Sequence, residues 1–370
     1  MEKKLIFDLI NSLFSGTLIF IFFYVYKIPM KYYIIIIMHL VLVFLTNNLL
    51  FPISYMPDQF RYINSASHIR ESLDFIHFYD YDSSITVSTA SGIFSLFPIP
   101  FLKSVFSIAI INFILYATMF IFLYRKKILR GYGIYFYLFY PSFALYSAIG
   151  TRDTLILFFM ILSVYQVHKG NTILSIVISL PLLLIKFQNF FIFFLSLLIY
   201  KGIDKGNIFS LKNIYKIILS LIATVIFLQF FSIEEINSIR LAMYIEDGGE
   251  IDNYVALSGY LDFIITSFSG AFYMVLKPFI WEAHSVLQII QSIENIFIFI
   301  ILYKLTTNLK RVKNPFKNFL MVYFLIAMAI YGIVVFNFGT ASRYKYTFII
   351  VFIIFSIKLI RDNKFKQGNL

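Results

Sequence analysis

The feature that most constrains this chain is a series of long, nearly uninterrupted apolar runs. Leu5 to Tyr26, Tyr32 to Phe51, Ile214 to Phe231, Ser285 to Tyr303 and Tyr346 to Ile360 are the clearest. Each approaches the ~20 residues that a helix needs to cross ~30 Å of hydrocarbon. Strands of a membrane barrel would be shorter and would alternate in polarity, and these runs do neither. In lipid, a helix satisfies every backbone polar group within its own segment. Composition agrees: 60% of the residues are hydrophobic and mean hydropathy is +0.83, against roughly 45–50% apolar for a soluble domain. The expected fold class is all-α: a polytopic integral membrane helix bundle of about eleven spanning helices, in a range of roughly 10 to 12. Residues 1–370 read as a single transmembrane domain without an internal repeat.

The first run is too long for a cleavable signal sequence and no small-residue cleavage site follows it, so it is expected to remain as a span. With no cysteine, neither a disulfide framework nor a thiolate metal site is expected. A net charge of +12 would point to nucleic acid in a soluble protein. Here it marks cytoplasmic loops, so membrane lipid is the expected partner and nucleic acid is not.

The strongest basic stretches are Arg125-Lys126-Lys127-Ile128-Leu129-Arg130 and Lys304 to Lys317, with Lys201 to Lys216 and the tail after Lys358. Placing them inside puts the N-terminus outside and the C-terminus inside, against a mild objection from Lys3 and Lys4. Helices are expected near 101–124, 132–149, 153–167, 172–185, 188–200, 214–232, 285–303, 319–336 and 346–360. Two large loops fall outside. The first, 52–100, contains an amphipathic stretch from Ile63 to Phe78, expected to lie on the membrane surface with Arg70, Glu71 and Asp74 on its polar face. The second, 233–284, contains an apolar stretch, Leu261 to Ile280, broken by Gly270 and Pro278 and suited to a re-entrant segment.

A bundle needs no charges in its membrane layer, and each costs at least ~2.5–3.5 kcal/mol there. The polar residues of this chain collect at the external end. Asp58, Arg61 and Tyr62 lie where the chain leaves the second helix. Gly150-Thr151-Arg152-Asp153 forms a hairpin in which Asp153 and Thr151 suit an N-terminal cap. Arg152 opposes the helix dipole and implies an anionic partner. Lys186 sits between two short apolar runs, where it either snorkels or binds an anion. Glu246, Asp247, Glu250 and Asp252 surround a Gly-Gly pair; they read as a solvated flexible loop or as a divalent-ion site. Trp281, Glu282 and His284 pair an aromatic platform with groups able to move protons. Glu294 lies deeper in the following helix. Arg343 and Lys345 carry positive charge on the side where it is disfavoured. Arg152, Arg343 and Lys186 thus converge on one side from different helices, as a pyrophosphate site would require.

Pro57-Asp58-Gln59 to Tyr62, Tyr140-Pro141-Ser142 followed by Thr151-Arg152-Asp153, Lys277 to Glu282 with Ser292 to Asn295, and Asn337 to Arg343 together resemble the EpsG and Wzy-like oligosaccharide repeat unit polymerases of bacterial surface-polysaccharide loci. The resemblance covers most of the chain by layout and short motifs by residue. It implies a polymerase of O-antigen or capsule type in the inner membrane, with a GT-C-like architecture. Such an enzyme moves a growing glycan from undecaprenyl diphosphate onto a fresh lipid-linked repeat unit at the external face. Asp58, Glu282 and His284 would then be catalytic. Arg152, Arg343, Lys186 and Lys345 would bind the diphosphate, and Tyr62 and Trp281 the sugar. No cofactor and no metal is implied. A chain-length regulator and a flippase are the implied protein partners.

Three other readings fit parts of the pattern. A GT-C glycosyltransferase using a polyprenyl-monophosphate sugar also carries an early external acidic residue, which Asp58 matches. A flippase of lipid-linked oligosaccharide would show charges through a central cavity and a repeated architecture. A sugar O-acyltransferase would need a histidine within the membrane; His39 is the candidate, and in an apolar run it reads more simply as a helix-packing residue.

Overall fold

A computed structural model describes residues 2–47, 50, 56–73, 78–202 and 232–368. Among these residues the protein is all-helical, with no strand. The expected helix at 214–232, most of the basic stretch Lys201 to Lys216, and Asp74 and Ile76 lie outside them. The chain divides into two compact units, Met1–Phe190 and Phe191–Leu370.

The first unit contains α1 (Glu2–Val25), α2 (Met30–Thr46), α3 (Asp58–Ser72), α4 (Ile85–Ser95), α5 (Val105–Arg125), α6 (Tyr132–Phe139), α7 (Pro141–Ser147), α8 (Asp153–Lys169), α9 (Thr172–Ser179), α10 (Pro181–Ile185) and the start of α11 (Phe187–Gly202). The second holds the rest of α11, then α12 (Ile233–Glu246), α13 (Tyr260–Leu276), α14 (Val286–Leu309), α15 (Phe316–Val334) and α16 (Phe338–Gly368). Among the described residues, four helices are long and apolar enough to cross a membrane: Leu5–Val25 of α1, α5, α14 and α15. The chain is a membrane protein on that ground. The expected span at 132–149 is broken at Tyr140, because Pro141 opens a new helix and forces the residue before it into extended backbone.

In the first unit α5 is the central helix, with α1, α2, α3, α7 and α8 packed around it. Its direction relative to α1 is fixed at both ends. At one end Ser104 Oγ donates to the buried Asp8 carboxylate at 2.5 Å. Asn11 there exchanges two hydrogen bonds with the Phe101 backbone, at 2.7 and 3.0 Å. At the other end the Arg125 guanidinium lies 3.9 Å from the Tyr26 ring centre. The two helices therefore run in parallel. That second end gathers the cations: Lys126 and Lys169 flank the Tyr165 ring, and Arg130 lies over Tyr124.

Residues 58–95, expected as loop with one surface helix, form two helices that pack on the protein. Ile63, Ala66 and Ile69, the face expected to meet lipid, are buried, while Leu73 is exposed. α3 packs against α4 and α5. Two arginines of α3 grip α4. Arg61 pairs with Asp82 through Nε at 3.1 Å and Nη2 at 2.6 Å, and Asp82 accepts the Ser84 N–H just before α4 begins. Arg70 donates to the carbonyls of Ser95, Phe97 and Ile99 at 2.6–3.0 Å, which satisfies the C-terminal end of α4.

In the second unit α15 packs on α13 and α16. α13 runs unbroken through Gly270, which corrects the expected interruption there. Gly270 instead lies against the backbone of Gly332 on α15, and a Cβ on either residue would collide with the other's main chain. Small residues let helices in lipid approach this closely. α13 stops before Pro278, as expected. Its outer flank, with Leu261, Ile265, Phe268 and Phe272, is exposed and apolar, as a lipid-facing surface is.

Candidate functional site

The polar centre of the first unit is the turn between α7 and α8. Ala148, Ile149, Gly150 and Thr151 are buried, although they form a connection. Buried backbone groups must find partners, and here side chains from three other helices supply them. Asn112 of α5 donates to the Ile149 and Thr151 carbonyls at 2.6 and 2.7 Å. Asn47, just after α2, donates to the Ala148 carbonyl at 3.1 Å. Gln59 of α3 accepts the Gly150 N–H at 2.8 Å. Gly150 is required by space: an added Cβ would lie 3.0 Å from both Gln59 Oε1 and the Val105 carbonyl.

This framework holds Arg152. It is the N-cap residue of α8, half-buried, and its Nη1 is buried with no hydrogen-bond partner among the described residues. Its neighbours are settled otherwise: Thr151 Oγ1 donates to Asp153 at 2.8 Å, and Asp153 sits in the first turn of α8, as expected. A guanidinium at a helix N-terminus, with one nitrogen facing no acceptor, suits an anion supplied from outside. Asp58 opens α3 beside Gln59. The Gln59–Gly150 bond therefore brings two clusters from separate parts of the sequence to one end of this unit, with the Asp58 and Arg152 backbones no more than about 20 Å apart by chain geometry.

Two other expected site residues of this unit take different positions. Tyr62, expected to bind sugar, is 1% exposed and packs edge-on against Phe94 at 6.1 Å, so it belongs to the core and meets no ligand face. Lys186 is buried where α10 ends and α11 begins. α9 and α10 together span only 14 residues, roughly 21 Å. The Lys186 carbonyl accepts the Asn189 N–H at 2.9 Å, and the Asn189 side-chain amide donates to Met160 Sδ at 3.2 Å. His39 stacks on Tyr116 at 4.1 Å and bonds Ser147 at 3.1 Å, the helix-packing role expected of it.

In the second unit α13 ends inside the bundle. The carbonyls of Leu276 and Lys277 accept from Asn295, nine positions into α14 and so about 13 Å from its start. Lys345 Nζ donates to Asn295 Oδ1 at 2.7 Å, to the Lys277 carbonyl at 3.3 Å and to the Val275 carbonyl at 3.5 Å. Two of its hydrogen bonds meet the carbonyls at the negative end of α13 and the third meets Asn295 of α14, with Glu294 close by. Lys345 is therefore a helix cap, which corrects its expected place on a diphosphate. Arg343, two residues earlier and so on the opposite side of α16, is half-buried.

Glu282 pairs with Lys277 at 2.9 Å and accepts the Phe279 N–H at 3.1 Å. The Lys277 hydrogen bond above all holds its carboxyl below the usual glutamate range. A carboxylate so stabilised is a poor proton acceptor, which weakens its expected catalytic role. His284 is exposed, with its backbone N–H donated to Gln288 at 2.7 Å. Trp281 is 80% exposed and stacks on Phe279 at 4.9 Å and 11°. It offers one open aromatic face, the geometry of a sugar platform or of an interfacial belt residue.

Sequence reasoning missed what Asp247 and Arg240 do. Asp247, read as part of a solvated loop or ion site, accepts the backbone N–H groups of Phe336 and Asn337 at 2.9 and 3.1 Å and the Thr340 hydroxyl at 2.7 Å. Arg240 donates to the Ile333 carbonyl at 3.1 Å near the end of α15, flanked by Tyr254 and Phe336. No group of three metal-ligating side chains occurs among the described residues. A pattern joins the two units: Arg70, Arg240 and Lys345 each answer carbonyls at a helix C-terminus, whereas Arg152 stands at an N-terminus. Compared with known proteins, the chain matches no family model, no curated protein and no solved structure.

Proposed function

We propose that this membrane protein is a glycosyltransferase of the polysaccharide polymerase type, acting at the external face of the bacterial inner membrane on undecaprenyl-diphosphate repeat units. The observation that carries the reading is Arg152: a rigidly framed, half-buried guanidinium whose inward nitrogen has no protein acceptor among the described residues. The resemblance of short motifs, such as Tyr140-Pro141-Ser142 with Thr151-Arg152-Asp153, to those of Wzy-like polymerases suggests the choice of substrate.

In this reading the acceptor hydroxyl attacks the anomeric carbon of the growing glycan. The bond from that carbon to the diphosphate oxygen breaks, and the electron pair leaves with undecaprenyl diphosphate. Arg152 neutralises the departing charge, with Lys186 of the same unit as a further cation. Asp58, at the same end of its unit as Arg152, takes the hydroxyl proton. Holding two lipid-anchored substrates in place supplies the proximity term. About eleven spans in a GT-C-like arrangement, α13 as a re-entrant helix, and a chain-length regulator and flippase as partners complete the proposal.

The test is reconstitution. Full-length protein in lipid vesicles receives synthetic undecaprenyl-diphosphate repeat units from its own host. Oligomers of rising length with release of undecaprenyl diphosphate support the reading. Single-sugar transfer from a polyprenyl monophosphate, with no oligomers, replaces it with the GT-C alternative.

A further inference from the structure

The second unit carries a cleft of ≈ 280 Å³ apart from every residue assigned above to diphosphate or proton transfer. One wall is the end of α12, with Tyr244 and the Gly248-Gly249 turn; the other is the connection between α15 and α16, with Phe336, Asn337 and Phe338. Gln288 of α14 completes the lining. Asp247 holds the walls together, since its carboxylate takes two N–H groups and a hydroxyl from the opposite side. The site is therefore formed before any ligand arrives.

Its chemistry excludes most ligand classes. Asp247 is the one charged residue of the lining, and its negative charge disfavours a phosphate. A metal ion has no third ligand among the described residues. Asp247 in any case faces N–H donors. A purely apolar ligand would strand the Gln288 amide N–H groups, whereas the Asn337 amide is already bonded to Asp247 and Gly339. A neutral ring with several hydroxyls meets what the lining offers: apolar aromatic surface from Tyr244, Phe336 and Phe338, and the side-chain amide of Gln288. Gln288 is oriented for this, because its Oε1 accepts the His284 N–H and Nε2 remains as a donor. The volume lies at the low edge of ligand sites, about 300–1,000 Å³, and suits a single sugar ring.

We infer that this cleft is a saccharide subsite, binding one neutral sugar of the glycan while the diphosphate lies elsewhere. The inference deepens the polymerase reading and rests on it for the identity of the glycan, but the binding is measurable without turnover.

The experiment is saturation-transfer NMR on the full chain in detergent. The probes are free glucose, galactose, rhamnose, N-acetylglucosamine and N-acetylgalactosamine, with inorganic pyrophosphate as a competitor. Gln288→Glu keeps the acceptor for His284 and removes the donor; Tyr244→Leu removes the aromatic wall. Transfer to at least one sugar is expected, unaffected by pyrophosphate and weakened about tenfold by Gln288→Glu. Absence of transfer to every sugar overturns the inference, as does transfer that both variants leave unchanged. The Arg152→Ala variant separates this from the larger reading. If its sugar binding persists while polymer is lost, both stand. If sugar binding persists and polymer is made as before, the subsite stands and the polymerase assignment of Arg152 falls.

Discussion

Gln59 Oε1 accepts the backbone N–H of Gly150 across 2.8 Å, joining residues 91 positions apart. This bond ties the start of α3 to the turn that presents Arg152, and so brings Asp58 to the same end of the first unit. Gly150→Ala would press a methyl group against Gln59 and the Val105 carbonyl, at a cost of about 1–3 kcal/mol. Gln59→Leu would leave a buried N–H unmet, at a similar cost. Both should lower the melting temperature of the detergent-solubilised protein. An unchanged melting temperature in both would mean that this contact does not organise the turn.

Lys345 distinguishes a structural cation from a functional one. Lys345→Met strips the α13 end of its cap and removes the ammonium near the buried Glu294, so about 3–5 kcal/mol of stability should go. Little intact protein is then expected in the membrane fraction. Wild-type amounts of an inserted but inactive protein would instead return Lys345 to substrate binding.

The close crossing of α13 and α15 allows no side chain at Gly270 or Gly332. Gly332→Leu should abolish stable insertion of the second unit, and Gly332→Ala should cost about 1–3 kcal/mol. Protease protection of the membrane-inserted variant reads this directly. Protection of Gly332→Leu equal to wild type contradicts the crossing.

The Arg61–Asp82 pair makes a prediction about pH. The Arg61 hydrogen bond holds the Asp82 carboxyl below the usual aspartate range. A folded-state pKa below the unfolded one gives stability that is full above about pH 4, the unfolded value. It is lost as pH falls through the folded value. Arg61 is 44% exposed, so the contribution is about 0.2–1 kcal/mol. Stability of wild type and Asp82→Asn should differ by that amount at pH 6 and converge toward pH 3. A gap that widens on acidification would show the sign to be wrong.

Some of this was legible in the sequence because it depends on local pattern. Apolar runs give the membrane class, and Pro278 gives the end of α13. The cations of Arg125 to Arg130 do gather at one end of the first unit, around Tyr26, Tyr124 and Tyr165. What stayed hidden depends on partners far along the chain. Arg70 looked like the polar face of a surface helix because the α4 carbonyls it meets lie about 25–29 positions away. Asp247 looked solvated, and nothing local marked Arg240, because their partners at Ile333 to Thr340 lie about 90 positions on. Lys345 and Tyr62 had the right chemistry for a ligand, and burial decided otherwise. Gly270 read as a helix breaker by propensity, but in lipid its use is close approach. Arg152 was singled out for opposing a helix dipole. That argument needs only the local sequence, and the structure places the residue as N-cap of α8.

The central claim is that Arg152 serves a departing diphosphate. The most direct measurement is the surface glycan of the native host on a gel, with the gene deleted and complemented by wild type, Arg152→Ala or Arg152→Lys, each checked for membrane insertion. The account predicts long chains only with wild type. Arg152→Ala should leave single repeat units, a loss of elongation of about 10²–10³-fold. Arg152→Lys should restore it only in part, since a point charge does not replace a bidentate fork. Long chains of unchanged distribution with Arg152→Ala would contradict it.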